Sequence, residues 1–180
     1  NPEGPVGLRP RTEVQEFVEG YLEKLGLKET ADKCFLSFQE ADELSLPILD
    51  QMVKPFDGVI GLLKEIKSAG GSLAIATSDK TERARLALKL LNIEELFDLI
   101  VGFDQVSRHK PEPEILELIT KRLGIKPVNS VMIGDSKNDI EMGINAEFKA
   151  SIAVCSGLTD REDFESITKH IINDVTEIKV

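Results

Sequence analysis

From Pro55 onward, short apolar runs punctuated by Gly, Pro and Asp alternate with stretches of helical periodicity, and no other feature of this chain restricts its fold as tightly. DGVIGLLKEIKSAGG reads as an amphipathic helix ended by glycines, LAIAT (Leu73 to Thr77) as a short buried strand, and KTERARLALKLLNI as a helix. DLIVGF (Asp98 to Phe103) is a second strand, and a loop through HKPEP opens the helix EILELITKRLGI. VMIG is a third strand, KNDIEMGIN a helix, SIAVC (Ser151 to Cys155) a fourth strand, and DREDFESITKHI a helix before a last short segment, HIINDVTEI. Strands this short, alternating with helices, predict right-handed crossovers and an α/β fold with a parallel sheet covered by helices on both faces. Ligands of such sheets bind beyond the carboxyl ends of the strands, so the residues just after each strand are the candidates for function.

Upstream, NPEGPVGLRP is rich in Pro and Gly and reads as loop. TEVQEFVEGYLEKLGL places Val14, Phe17, Val18, Tyr21, Leu22 and Leu25 at helical spacing with Gly26 as a stop. A second helical stretch, Glu29 to Glu43, carries Cys34, Phe35, Phe38 and Ala41, and the two predict a helical hairpin. Within it KCFLSF (Lys33 to Phe38) is apolar enough for a strand and also fits a helix.

The 180 residues suffice for one domain of ordinary size with its own core. With 41% hydrophobic and 30% charged residues, the composition is that of a soluble globular protein, and no apolar run approaches a membrane-spanning length. The 32 acidic against 22 basic residues give a formal charge of -10, so neither nucleic acid nor an anionic membrane is the expected partner. An anionic ligand would need cations placed locally. Cys34 and Cys155 have no metal-ligand spacing and are too few for a disulfide framework, which favours a reducing, cytoplasmic setting. Asn1-Pro2-Glu3-Gly4 lacks the features of a signal peptide and carries no initiating methionine, so the first codon can lie upstream.

Three strand ends carry the chemistry. After the first, Asp79 followed by Glu82 reads as a capping box, whereas Thr77 and Ser78 could bind an anion with their hydroxyls and nearby amides. After the second, Pro111 sets the helix entry, and Lys110 is held extended by that proline. Lys110 and His109 read equally as solvated loop residues. After the third, Asp135 or Ser136 can cap the helix. Asp139 lies at helical spacing from Asp135, so the two carboxylates can return to one pocket, where an all-oxygen ligand set favours Mg²⁺.

Taken in order, these sites resemble the motifs of the haloacid dehalogenase-like (HAD) superfamily, a group of mostly Mg²⁺-dependent phosphatases, over most of the chain from Pro55. LAIAT-Ser78 resembles the second motif, implying Thr77 as the phosphate-binding hydroxyl, and HKPEPEI the third, implying Lys110 as the cation. GDSKND resembles the fourth, implying Asp135 as metal ligand and Asp139 as ligand or orienter of a metal-bound water. Phe56-Asp57-Gly58-Val59 and SGLTDREDF are most similar to the phosphoglycolate phosphatase-like branch, in which a helical cap precedes the Thr strand. The resemblance implies a three-layer, parallel-sheet, Rossmann-like core at 53–180 with a helical cap or cap remnant at 1–52. It also implies catalytic Thr77, Lys110 and Asp135, substrate binding by Thr77, Ser78 and Lys110, and Mg²⁺ on Asp135 and Asp139. The substrate implied is a small phosphorylated metabolite, hydrolysed through an aspartyl-phosphate. Oligomeric state is left open.

One departure is plain. The family's nucleophile comes from an Asp-x-Asp motif closing an early strand, and these 180 residues contain no Asp-x-Asp. That strand sits between those ending at Thr77 and Asp135, so without it two unpaired edges would face a slot. The expectation is a nucleophile lying outside these residues. The alternatives are a catalytically silent relative that binds a phosphate ligand or a protein partner, and a metal-free dehalogenase, against which a metal-ligating Asp135 counts.

Overall fold

The computed structural model describes residues 11–45, 53–157 and 159–180. The loop expected over NPEGPVGLRP and residues 46–52 of the expected cap lie outside the described residues. Helices α1 (Arg11–Lys24) and α2 (Lys28–Ser45) pack on each other as the expected hairpin. Gly26 adopts φ +76 at the turn, a conformation glycine takes without strain, and the Leu27 amide donates back to the Leu22 carbonyl at 2.9 Å. Val14 and Cys34 are buried. The run 33–38 lies within α2, which sets its strand alternative aside.

The remaining elements alternate as the sequence pattern predicts. In order they are α3 (Val59–Ser68), β1 (Ala74–Ala76), α4 (Thr81–Leu90), β2 (Leu99–Val101), α5 (Glu114–Leu123) and β3 (Val131–Gly134). Then follow α6 (Lys137–Asn145), β4 (Ala150–Val154), α7 (Arg161–Glu165) and β5 (Ile171–Ile172). Every ladder is parallel. Apolar spacing on α5 turns Ile115, Leu116 and Ile119 inward against Val101, Met132, Met142 and Ala146 in the larger core cluster. A second cluster joins Ile140, Ala153 and Phe164, each fully buried. No helix among the described residues is long and apolar enough to cross a membrane.

One feature differs from expectation. The helix read over DREDFESITKHI stops at Glu165, because the Ile167 and Thr168 amides both turn back to the Phe164 carbonyl. The Thr168 hydroxyl then donates to the Ser151 carbonyl at 2.8 Å and directs the chain into β5. The sheet is not continuous, as expected where the Asp-x-Asp strand lies outside these residues. Among the described residues β1 pairs with β2, while β3, β4 and β5 form a separate ladder in that order. The break falls between β1 and β3, where the resemblance places the nucleophile strand. Among the described residues both flanking strands therefore keep an unpaired edge toward it. Val131 and Ile133, on one face of β3, are 44% and 37% exposed, whereas strands of parallel α/β sheets are ordinarily covered on both faces.

The first sheet is pinned at its start by Asp98. Its carboxylate accepts from the Leu73 amide at 2.8 Å and pairs with Lys67 of α3 at 2.8 Å, while the Asp98 amide donates to the Leu73 carbonyl. The Lys67 hydrogen bond, followed by that from Leu73, holds the carboxyl below the usual carboxylate range against the opposing effect of burial. A carboxyl with a lowered pKa in the folded state stabilises it above the unfolded value, and that contribution fades as pH falls through the folded one. Asp98→Asn is therefore expected to lower Tm at neutral pH. The gap to wild type should close below about pH 4, the ordinary range of an aspartate. Thermal melts of both proteins across pH 3 to 7 check this, and a gap that widens in acid would refute the assignment.

Candidate active site

The loops that follow β1 and β2 are tied together by backbone and side-chain hydrogen bonds. The Thr77 amide extends the ladder to the Val101 carbonyl, and the Thr77 hydroxyl accepts from the Asp79 amide at 3.0 Å. The Asp79 carbonyl accepts from Phe103 across the gap. The capping box expected of Asp79 and Glu82 does not form. Helix α4 starts at Thr81, and the Asp79 carboxylate instead accepts from the Lys80 amide at 2.7 Å and pairs with Arg83 at 3.1 Å. The helix N-terminus is satisfied from the next loop, where Asp104 accepts both the Thr81 amide at 2.7 Å and its hydroxyl at 2.9 Å. The Thr81 hydroxyl in turn accepts from the Gly102 amide and Gln105. Burial opposes the charge on Asp104, but the Thr81 hydrogen bonds outweigh it and hold the carboxyl below its ordinary range. Sequence reasoning missed this knot, since its two central residues lie 23 positions apart and neither belongs to a local pattern.

Past β2, the Glu114 carboxylate accepts from the amides of Ser107 and Arg108 at 3.1 and 2.7 Å, which fixes the loop and lowers the Glu114 pKa. The helix enters at Glu114, with Pro113 rather than Pro111 in the capping position, and the Lys110–Pro111 bond is cis. Neither Lys110 nor His109 is a solvated bystander. His109 packs edge-on against Phe103 with ring centroids 5.7 Å apart. Lys110 is drawn inward, its side chain 13% exposed, and donates to the Ala76 carbonyl at 2.9 Å and to Asp139 at 2.7 Å. One ammonium group thus touches the end of β1 and the first turn of the helix after β3, across the break in the sheet.

At the end of β3, Ser136 is the N-cap of α6 in a full capping box with Asp139. Asp139 is 7% exposed and uses both oxygens, Oδ2 toward the Ser136 amide and hydroxyl and Oδ1 toward Lys110. Its carboxylate folds over Gly134, where an added Cβ would collide with the Asp139 side chain. Asp135 differs. It is exposed, its side chain lies directly on Gly157, and among the described residues it has no hydrogen-bonding or ionic partner.

Thr77, Ser78 and Lys110 line one cleft, together with Phe103, Val106, Arg108, His109 and Ile115. The cleft is shallow and open to solvent. Asp139 joins this group through Lys110, whereas Asp135 is not among the lining residues and lies beside the loop after β4. No three His, Cys, Asp or Glu side chains gather into a metal cluster among the described residues. Mg²⁺ does not require one, since it commonly takes one or two carboxylates and completes its shell with water and phosphate oxygens. Asp135, unpartnered and oxygen-only, fits that role. Asp139, with both oxygens engaged, fits better as the group that orients Lys110.

The Lys110–Asp139 pair generates a stability prediction. Removing one partner leaves a nearly buried charge uncompensated, so Lys110→Met should destabilise by about 3 kcal/mol. Lys110→Met/Asp139→Asn should be less destabilised than the sum of the single variants, with a coupling of about 1 to 3 kcal/mol. Urea unfolding of the four proteins reads this cycle, and strict additivity would show the pair to be incidental.

With this geometry in place, three comparisons carry weight. The family profile of haloacid dehalogenase-like hydrolases matches residues 12–154. The chain is 40% identical over 103 residues, 57% of its own length and 48% of the relative's, to the pyrophosphatase PpaX of Halalkalibacterium halodurans. It spans about half the length of the curated relatives it matches. Among solved structures, a HAD phosphatase from Thermococcus onnurineus superposes with a TM-score of 0.68 at 25% identity, covering 87% of this chain and 81% of that one. CbbY from Rhodobacter sphaeroides, solved in complex with phosphate, gives 0.60 at 26% identity over 66% of this chain and 53% of its own. The profile runs from the first helix to the end of β4 and takes in all three strand-end sites, so this chain belongs to the haloacid dehalogenase-like hydrolases.

Proposed function

We propose that this protein is a Mg²⁺-dependent phosphatase of small phosphorylated compounds that works through an aspartyl-phosphate, with its nucleophilic aspartate outside the 180 residues. One observation carries the reading: Lys110 lines the cleft with Thr77 and Ser78 and reaches Asp139 across the break between β1 and β3. A further parallel strand seated in that break would pair with both free edges and end between Thr77 and Asp135. A carboxylate oxygen there would attack phosphorus as the bond to the leaving oxygen breaks. Water would then cleave the acyl phosphate and release inorganic phosphate. Lys110 and the Thr77 and Ser78 hydroxyls would hold the equatorial oxygens, where charge accumulates in transfer. Asp135 would hold Mg²⁺, which offsets the mutual repulsion of carboxylate and phosphate.

The names of the relatives support this chemistry, being those of a pyrophosphatase, a HAD phosphatase and a protein solved with phosphate. The free carboxylate of Asp135 favours it over a metal-free dehalogenase. The residues 1–52 are proposed as cap, with α1 and α2 packed chiefly on each other, and a cytoplasmic setting suits two free thiols.

Hydrolysis of an aryl phosphate by the full-length protein, with and without EDTA, tests the proposal. Activity is expected only with Mg²⁺. Asp135→Asn should abolish it with the fold intact by circular dichroism, and Lys110→Ala should lower it by roughly 10²-fold or more. Turnover that survives EDTA, or a fully active Asp135→Asn, would refute the reading.

A further inference from the structure

Two carboxylates at the end of β3 rest on glycines, and the two contacts differ in kind. Gly134 belongs to β3 itself and admits Asp139 of the next helix turn. Gly157 belongs to another segment, the loop between β4 and α7, and admits Asp135. A Cβ built on Gly157 would fall on Asp135 Oδ2, on its Cγ and on its Cβ. The last of these decides the matter. A clash with Oδ2 alone could be relieved by rotating the aspartate, but Asp135 Cβ is fixed to the backbone just past β3 and no rotamer moves it. Gly157 has an ordinary φ, so its lack of a side chain is used for close approach and not for a left-handed turn.

The loop that presents Gly157 is itself anchored. Its N-terminal end leaves β4, whose Val154 is buried and whose neighbour Cys155 donates its amide to the Ile172 carbonyl at 3.0 Å. Its C-terminal end enters α7, where Phe164 is fully buried and Asp163 pairs with Lys137 of α6 at 2.8 Å. The floor beneath Asp135 thus follows directly from the end of β4. No hydrogen bond or ion pair holds the carboxylate among the described residues, and its side chain is packed against Gly157.

We propose that Gly157 is the positioning residue of the metal site: by lacking a Cβ it allows the Asp135 carboxylate its ligating position, and so brings the chain just after β4 into the Mg²⁺ site. This rests on the reading of Asp135 as the Mg²⁺ ligand. Groups that orient a metal ligand from outside the coordination shell typically change affinity by 10- to 100-fold when altered. Gly157→Ala should therefore weaken Mg²⁺ binding by at least about tenfold. Gly61→Ala, on α3 with nothing within 4 Å of an added Cβ, is the control for a glycine-to-alanine change as such.

The test is isothermal titration of the metal-free full-length protein with MgCl₂ for wild type, Gly157→Ala and Gly61→Ala, with Tm recorded without metal. The expected result is weakened binding in Gly157→Ala alone, with a metal-free Tm lowered by several degrees as the chain after β4 shifts off Asp135 Cβ, but with a single cooperative unfolding transition retained. Excess Mg²⁺ should restore its kcat toward the wild-type value, which a general loss of structure would not allow. Equal Mg²⁺ affinity in wild type and Gly157→Ala would overturn the inference while leaving the Asp135 assignment standing. Wild type that binds no Mg²⁺ would overturn both. If Gly157→Ala does not fold, the amide spectrum of ¹⁵N-labelled wild type decides: the Gly157 resonance is expected to shift along the Mg²⁺ saturation curve, and an unmoved resonance would reject the role.

Discussion

The Lys110 ammonium is the group on which the arrangement of the site depends. It sits where, among the described residues, two parallel ladders fail to meet, and its bonds to the Ala76 carbonyl and Asp139 are short polar links across that divide. A lysine in this position has lost most of its water, which is costly unless strong acceptors replace it. Asp139 supplies one, and can do so only because Gly134 leaves room for its carboxylate and Ser136 fixes its second oxygen. The cap of a helix, the end of a strand and the cation of the cleft therefore form a single hydrogen-bonded unit.

This unit also answers an electrostatic difficulty. A chain with a formal charge of -10 repels phosphate at long range, so the proposed phosphate binding would rely on donors placed at short range. Lys110 and the hydroxyls of Thr77 and Ser78 are of that kind, drawn from loops after two different strands and braced against each other by Thr81, Asp104 and Glu114. Preorganisation of such donors lets them act on developing charge without reorganising first. The bracing residues touch no ligand in this account, yet they keep the two loops in register.

Much of this was legible in the chain. Alternation of short apolar runs with stretches of period 3.6 announced the parallel architecture, and the rule that sites lie beyond strand ends singled out Thr77, Lys110, Asp135 and Asp139 as candidates. Two things were not legible. Local pattern could not distinguish a solvated Lys110 from a buried one, because its partners lie 34 and 29 residues away. The Asp79 and Glu82 spacing resembled a capping box, but Asp104, from a loop more than twenty residues on, took the amide that such a cap would have served. The division of the sheet was foreseeable only from what the sequence lacks, the Asp-x-Asp strand, and from the family resemblance that gives its place in the order.

The central claim is that a strand bearing a nucleophilic aspartate fills the break between β1 and β3, against Lys110 and Thr77. A crystal structure of the full-length protein with Mg²⁺ and beryllofluoride, which mimics a phosphoryl group on a carboxylate, tests it most directly. The account predicts beryllium bonded to an aspartate on a strand hydrogen-bonded to both β1 and β3, its fluorides reached by Thr77 and Lys110, and the metal on Asp135. Beryllofluoride bound elsewhere, or β1 and β3 still unpaired on their inner edges, would contradict it.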